Sequence, residues 1–279
     1  MCRLFAFRSM IRSKVHTSLV GAENALMAQS QEHPDGWGIA YYLERAPHVV
    51  KAATTALTDS FFRRVSGIVS SETVIAHIRK GTLGDCSVVN THPFQFGPWT
   101  FVHNGNIRNF HLFQDTLKNR VDESLRPYIM GMTDSEMIFY LILSKLRRQH
   151  SLGEMISFTS LRQATEKALE EVIGIVGPYC AVDSSPEMTY LSFVITNGKT
   201  MLIHQGGKDL YYSTYKTKCS ERQICPFFSD ECEAPSSKGI IKHLVISSEK
   251  IKNENYWIKM KPGEIVGVDP KMIFQTAKL

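Results

Sequence analysis

No run of this sequence approaches the roughly 20 apolar residues a membrane-spanning helix needs. The opening Met1-Cys2-Arg3-Leu4-Phe5-Ala6-Phe7-Arg8 lacks the apolar core and small-residue cleavage site of an export signal. Six cysteines, at positions 2, 86, 180, 219, 225 and 232 of 279 residues, are too sparse for a disulfide scaffold. Cys219, Cys225 and Cys232 also lack the close pairs of a structural zinc site. They are expected to be free thiols in a reducing, cytoplasmic setting. The chain has no phosphate-binding glycine loop of recognised spacing, no internal repeat and no low-complexity tract. Its net charge of +5 comes from basic residues spread along the chain, which leaves no nucleic-acid footprint. These absences exclude a membrane span, a secreted disulfide scaffold and a P-loop nucleotide site.

With 43% hydrophobic and 21% charged residues, the composition is that of a globular protein. A chain of this length buries roughly three quarters of its unfolded surface. No flexible linker divides it, so one domain over residues 2–279 is expected. Residues 2–8 alternate as a strand, and residues 17–31 have the spacing of an amphipathic helix that stops before His33-Pro34-Asp35-Gly36. Strands are expected at 38–43, 48–53, 72–78 and 99–103, with a helix at 58–65. Helices at 134–148 and 161–173 are followed by a hairpin, 190–196 and 200–205, around Asn197-Gly198. Strands at 244–247 and 265–268 complete an α+β pattern of antiparallel sheets with helices on their outer faces.

Four stretches carry chemistry. A small residue after the initiator permits removal of Met1, which leaves Cys2 with a free α-amino group. That amine ionises near pH 8, so its neutral fraction can take the proton of its own thiol. Ala76-His77-Ile78-Arg79-Lys80-Gly81-Thr82 ends an apolar strand at an arginine able to clamp a carboxylate with two parallel hydrogen bonds, to which Thr82 can add a third. His103-Asn104-Gly105 reads as a turn signal, but its amide and unhindered glycine N–H also suit a developing oxyanion. Thr133-Asp134-Ser135-Glu136 reads as a capping box, and the Asp134 carboxylate is additionally suited to an ammonium group.

In this order, with the glycine turn His33-Pro34-Asp35-Gly36-Trp37-Gly38 between the first two, the motifs resemble those of the class II glutamine amidotransferases, which are N-terminal-nucleophile hydrolases. The opening Met1-Cys2-Arg3-Leu4-Phe5-Ala6 and Asn90-Thr91-His92-Pro93-Phe94 are similar to the stand-alone branch. That branch includes the γ-glutamyl hydrolase of ergothioneine synthesis and the amidotransferase-like subunit of glutathione degradation. The resemblance implies a four-layered α/β/β/α sandwich with two antiparallel sheets. It implies Cys2 as nucleophile and Asn104 with Gly105 as oxyanion hole. Arg79 and Thr82 fall at the substrate α-carboxylate and Asp134 at its α-ammonium, with no metal or organic cofactor. Lys80 and Leu83 depart from the Trp and His of the amino-sugar and purine enzymes. The implied substrate is glutamine or a γ-glutamyl amide, with ammonia passed to a separate partner subunit or the amide simply hydrolysed. A ligand-binding regulatory subunit is the non-enzymatic alternative. No nucleic-acid or membrane partner is expected.

Overall fold

The computed structural model describes residues 2–81, 84–185, 187–220 and 222–279. Strand β1 (Arg3–Lys14) starts directly after Cys2 and leads through a π-helical turn at Thr17–Gly21 to the short helix α1 (Leu26–Gln29). Next come β2 (Trp37–Leu43), β3 (Ala46–Ala52), α2 (Ser60–Ile68) and β4 (Ser70–Ile78). β5 (Phe94–Phe96) and β6 (Trp99–Asn106) precede α3 (Gln114–Arg120), α4 (Asp134–Arg147) and α5 (Phe158–Val176). The remaining strands are β7 (Tyr190–Thr196), β8 (Met201–His204), β9 (Tyr211–Ser213), β10 (His243–Ser247), β11 (Ile258–Lys259), β12 (Glu264–Val268) and β13 (Phe274–Lys278).

The strands form a seven-stranded sheet, β11-β9-β10-β1-β4-β2-β3, and a six-stranded sheet, β13-β12-β8-β7-β6-β5, with the registered pairs antiparallel. Strand alternation sorts their residues into three apolar layers. Leu4, Ala6 and Ile75 face inward onto Val102, Val194 and Ile203 of the other sheet. Phe5, Phe7 and Val74 face outward under the π turn, α1 and α2. Phe101, Phe193 and Ile195 face the opposite way, onto α4 and α5. The result is the four-layered α/β/β/α sandwich. Fully burying one such side chain contributes roughly 1.5–3 kcal/mol.

One local expectation gives way to tertiary contacts. The helix expected over 17–31 breaks at Ala22–Ala25, a turn closed by the Ala25 N–H donating to the Ala22 carbonyl at 3.0 Å, with Ala22 itself extended. There the Asn24 side chain donates to the Lys250 carbonyl and accepts from the Lys252 N–H, so contacts with a distant loop replace the helical ladder. The expected hairpin around Asn197-Gly198 forms, with β7 and β8 paired antiparallel through Thr196 and Met201. Gly198 takes φ +83°, and the Asn197 carboxamide oxygen accepts from the N–H groups of Lys199 and Thr200 at 3.1 and 2.9 Å. A Cβ at Gly198 would lie 2.3 Å from the Tyr42 ring, so close packing as well as conformation demands glycine here.

Candidate active site

Both sheets deliver residues to one end of the sandwich. Arg3 pairs with Ile78 of β4, and Phe5 pairs with Ser247 of β10, so Cys2 lies between the end of β4, at Arg79 and Lys80, and the end of β10, at Ser248. From the other sheet, β6 brings Asn104 and Gly105, paired with Ser192 and Leu191 of β7. The sheets are joined here by His77 of β4, whose Nε2 lies 3.1 Å from the His103 carbonyl. That bond couples the strand carrying Arg79 to the strand carrying Asn104.

The Cys2 thiol is half-buried and meets Lys80 through the main chain alone. Its Sγ lies 3.5 Å from the Lys80 carbonyl and accepts from the Lys80 N–H at 3.4 Å. Because backbone atoms make this contact, the departure from Trp at position 80 does not remove it. Burial pushes the Cys2 thiol up, against the Lys80 N–H and the charge of Arg79, while Asp134 adds to the upward push. A thiol held protonated in this way needs a base before it can attack.

Arg79 is buried, with its main chain locked to the preceding glycine turn: its N–H donates to Gly36 at 2.7 Å and its carbonyl accepts from Asp35 at 3.1 Å. The Asp35 carboxylate in turn accepts from the Gly81 N–H at 2.8 Å. The guanidinium donates to the carbonyls of Asp85 and Gly84 at 3.1 and 3.2 Å. Gly84 needs its φ of +71°, and a Cβ there would meet the Asn90 carboxamide at 2.7 Å. Asn90 donates to the Asp85 carboxylate and accepts from the Met132 N–H, so it ties the Arg79 loop to the approach of α4. Thr82, expected beside Arg79, lies outside the described residues.

Asn104 and Gly105 sit inside β6, so the Asn-Gly pair is extended strand here and not a turn. The Asn104 amide lies 3.5 Å from the Ser248 hydroxyl, which also accepts from the Leu4 N–H at 3.0 Å. Its carboxamide oxygen is buried with no hydrogen-bond partner among the described residues. At Gly105 a Cβ would stand 2.1 Å from the Tyr190 carbonyl and 2.5 Å from His103 Nε2, so only glycine preserves the β6–β7 pairing.

The N-terminus of α4 behaves as a partial capping box. The Thr133 hydroxyl accepts from the Glu136 N–H at 3.3 Å, but the Glu136 carboxylate turns away to the N–H groups of Met130 and Gly131. Asp134 is buried; its carboxylate accepts from the Ile107 N–H at 2.5 Å and the Ser135 N–H at 2.7 Å. Burial pushes its carboxyl up, while His103 and these hydrogen bonds hold it down. His103 itself contacts the Ser135 hydroxyl at 2.9 Å and the Tyr190 carbonyl at 3.0 Å. His92, by contrast, lies with its ring centroid 4.1 Å from that of His77 and tilted 40° to it, and both its ring nitrogens are buried without a partner among the described residues. Cys2, Arg79, Asn104, Gly105 and Asp134 thus come from three strand ends and one helix start at the same end of the fold. The sequence reading singled out Asn90 and Glu136 without the loop-tying contacts they make, and gave Ser248 no role; Ser248 stands 144 residues from its partner, with no local pattern to mark it.

The buried histidines make an acid-stability prediction. Desolvation pushes His77 down to about 3 and His204 down to about 4. Both side chains are fully buried. The unfolded chain takes up protons on them near pH 6.5, before the folded chain can. Their contribution is therefore complete above about pH 6.5 and falls as the pH drops toward 4, by about 2.5 kcal/mol per pH unit for the pair. Asp134, with its raised carboxyl, opposes this trend, because the folded chain protonates it before the unfolded chain does. Denaturant midpoints measured from about pH 7 to 5 should fall steeply; a flat series contradicts this account.

All six cysteines are free, and among the described residues no three His, Cys, Asp or Glu side chains cluster as a metal site. No helix among them is long and apolar enough to cross a membrane. Two stacked antiparallel sheets between helical layers, in the arrangement described, are the fold of the N-terminal-nucleophile hydrolases. A family model described as class-II glutamine amidotransferases matches residues 1–277, and the chain belongs to that family. It is 26% identical over 242 residues to "Probable glutamine amidotransferase DUG3" of Saccharomyces cerevisiae, covering 78% of this chain and 65% of that protein's length. It is similar in structure to a glutamine aminotransferase class-II domain protein from Silicibacter pomeroyi, with a TM-score of 0.64 and 20% identity over 100% of this chain and 99% of that one. The glutamine phosphoribosylpyrophosphate amidotransferase of B. subtilis matches with a TM-score of 0.61 and 15% identity over 99% of this chain and 49% of that one. At these identities the two structural likenesses speak for the fold.

Proposed function

We propose that the chain cleaves the γ-carboxamide of glutamine or of a γ-glutamyl amide through a thioester on Cys2. Residues 2–279 form one catalytic unit, working in the cytoplasm after loss of Met1. The freed α-amine of Cys2 takes the thiol proton, and the thiolate adds to the amide carbon to form a C–S bond. The resulting oxyanion rests on the Asn104 amide and the Gly105 N–H. As the adduct collapses, the C–N bond breaks and the α-ammonium returns its proton to the departing nitrogen. Water, deprotonated by the same amine, then attacks the thioester, releasing glutamate and restoring the thiol.

Arg79 receives the substrate α-carboxylate, which takes the guanidinium over from the Gly84 and Asp85 carbonyls, and Asp134 receives the α-ammonium. Thr82 adds its hydroxyl to the carboxylate. The observation that supports this reading most is the convergence of a thiol pushed toward its protonated form, an arginine, an Asn-Gly pair and a buried aspartate at one end of two sheets. The test is glutamate release from glutamine and a series of γ-glutamyl amides by protein shown to begin at Cys2. No release from any of them would refute the proposal.

A further inference from the structure

A cavity of about 1050 Å³ follows β1 and is lined by none of Cys2, Arg79, Asn104, Gly105 or Asp134. Its lining runs along the strand from Phe5 to Lys14, a span of roughly 30 Å at about 3.3 Å per residue. Small-molecule sites are compact and fill roughly 300–1,000 Å³. A cavity of this volume drawn out along a strand suits an extended chain better.

The strand beside it is unfinished on one side. β10 accompanies β1 from Phe5 to Ser9, and the Met10 N–H still reaches the Lys242 carbonyl at 3.0 Å. Ahead of β10 the chain turns away: the Ile241 N–H donates to the Met272 carbonyl at 3.0 Å, and Ile240 bridges Ile273. β1 meanwhile continues to Lys14, with Ser13 and Lys14 paired to Ser71 and Ser70 of β4. Beyond Met10, β1 therefore has no strand on its β10 side among the described residues, and these residues line the cavity. An unpaired strand edge is a template for another chain.

Charge says what that chain should carry. Five basic residues and one acidic residue line the cavity. Lys216 is matched by Glu254 at 3.5 Å and Lys252 by Glu23 at 2.8 Å. Arg12, Lys14 and Lys242 form no ion pair among the described residues. Arg12 and Lys14 are exposed, whereas Ile11 is half-buried and Val15 buried, so strand alternation puts cations on one face and apolar side chains on the other. Met10 and Phe227, also in the lining, are 46% and 62% exposed, which leaves large apolar groups uncovered at the same place.

We propose that this edge of β1 receives an extended acidic segment of a partner protein as an added strand, with its carboxylates opposite Arg12 and Lys14 and its alternate, apolar residues on the side of Ile11 and Val15. The inference does not depend on the chemistry proposed for Cys2. Cys219, Cys225 and Cys232 line the cavity while the exposed Cys86 does not, so the thiols report its occupancy. A fluorescein-labelled six-residue peptide alternating glutamate and valine should bind the full chain by fluorescence anisotropy. It should also slow iodoacetamide alkylation of those three cysteines and leave Cys86 unchanged. The lysine–valine peptide, the glutamate–valine peptide N-methylated at every residue, and oligothymidylate should each bind about tenfold more weakly or worse, lacking the charge, the N–H donors or the strand backbone. Arg12→Glu together with Lys14→Glu should weaken the acidic peptide by about tenfold or more, through two reversed cross-strand charge pairs. Both side chains are exposed, and a thermal unfolding curve checks that the variant folds; if it does not, the comparison of probes on the unaltered chain decides. No binding of the acidic peptide, slowing at Cys86 equal to that at the other three, or equal binding of the lysine or N-methylated peptide overturns the proposal. Equal binding of oligothymidylate also overturns it and makes the face a nucleic-acid surface.

Discussion

Cys2→Ala should lower glutamate release by at least roughly 10⁴-fold, the scale on which loss of a covalent nucleophile is felt. The loss should fall on kcat, because the residues proposed to hold the amino-acid end of the substrate, Arg79 and Asp134, are untouched. Folding should be preserved. The half-buried thiol makes two long contacts to the Lys80 backbone, at 3.4 and 3.5 Å, and packs in none of the three apolar layers. Steady-state kinetics beside a thermal unfolding curve separates the outcomes. Residual turnover within about tenfold of the unaltered enzyme would assign the chemistry to another group.

Asn104→Ala should cost about 10²- to 10³-fold in kcat with little change in KM, as expected when one donor to a developing oxyanion is removed. The geometry makes this a clean substitution. The Asn104 side chain contributes one long contact, 3.5 Å to the Ser248 hydroxyl, and Ser248 keeps its 3.0 Å bond from the Leu4 N–H when the amide is gone. The carboxamide oxygen, buried without a partner among the described residues, is removed along with it, so the fold loses little. A rise in KM with kcat unchanged would instead make Asn104 a ground-state substrate contact. The neighbouring position cannot be probed as simply, since a Cβ at Gly105 would stand 2.1 Å from the Tyr190 carbonyl and part the strands.

Legibility in the sequence followed the range of the interactions. β4, β7 and α4 could be read from alternation, helical spacing and the Thr133 cap because those signals are local. Cys2, Arg79 and Asp134 could be selected because each borders or opens such an element, Asn104 because it follows an apolar strand pattern, and all four because the order of motifs resembles a known family. The helix expected over 17–31 failed because Asn24 is claimed by a loop more than two hundred residues away. The capping box was half right, since the Glu136 carboxylate found better donors in the Met130 and Gly131 backbone. The meeting of Ser248 with Asn104 was not legible at all. Their segments meet only because β10 lies beside β1 and β7 beside β6, a pairing that no window of sequence displays.

The central claim is that the amine and thiol of Cys2 act together, and intact mass spectrometry of the N-terminal peptide after exposure to an electrophilic diazoketone analogue of glutamine tests it most directly. Protein processed to begin at Cys2 should carry one adduct, on Cys2, and lose its glutamate release in step with labelling. Protein retaining Met1, whose α-amine belongs to another residue, should be neither labelled nor active. An adduct on any other residue, or full activity in a chain shown to keep Met1, would contradict the account.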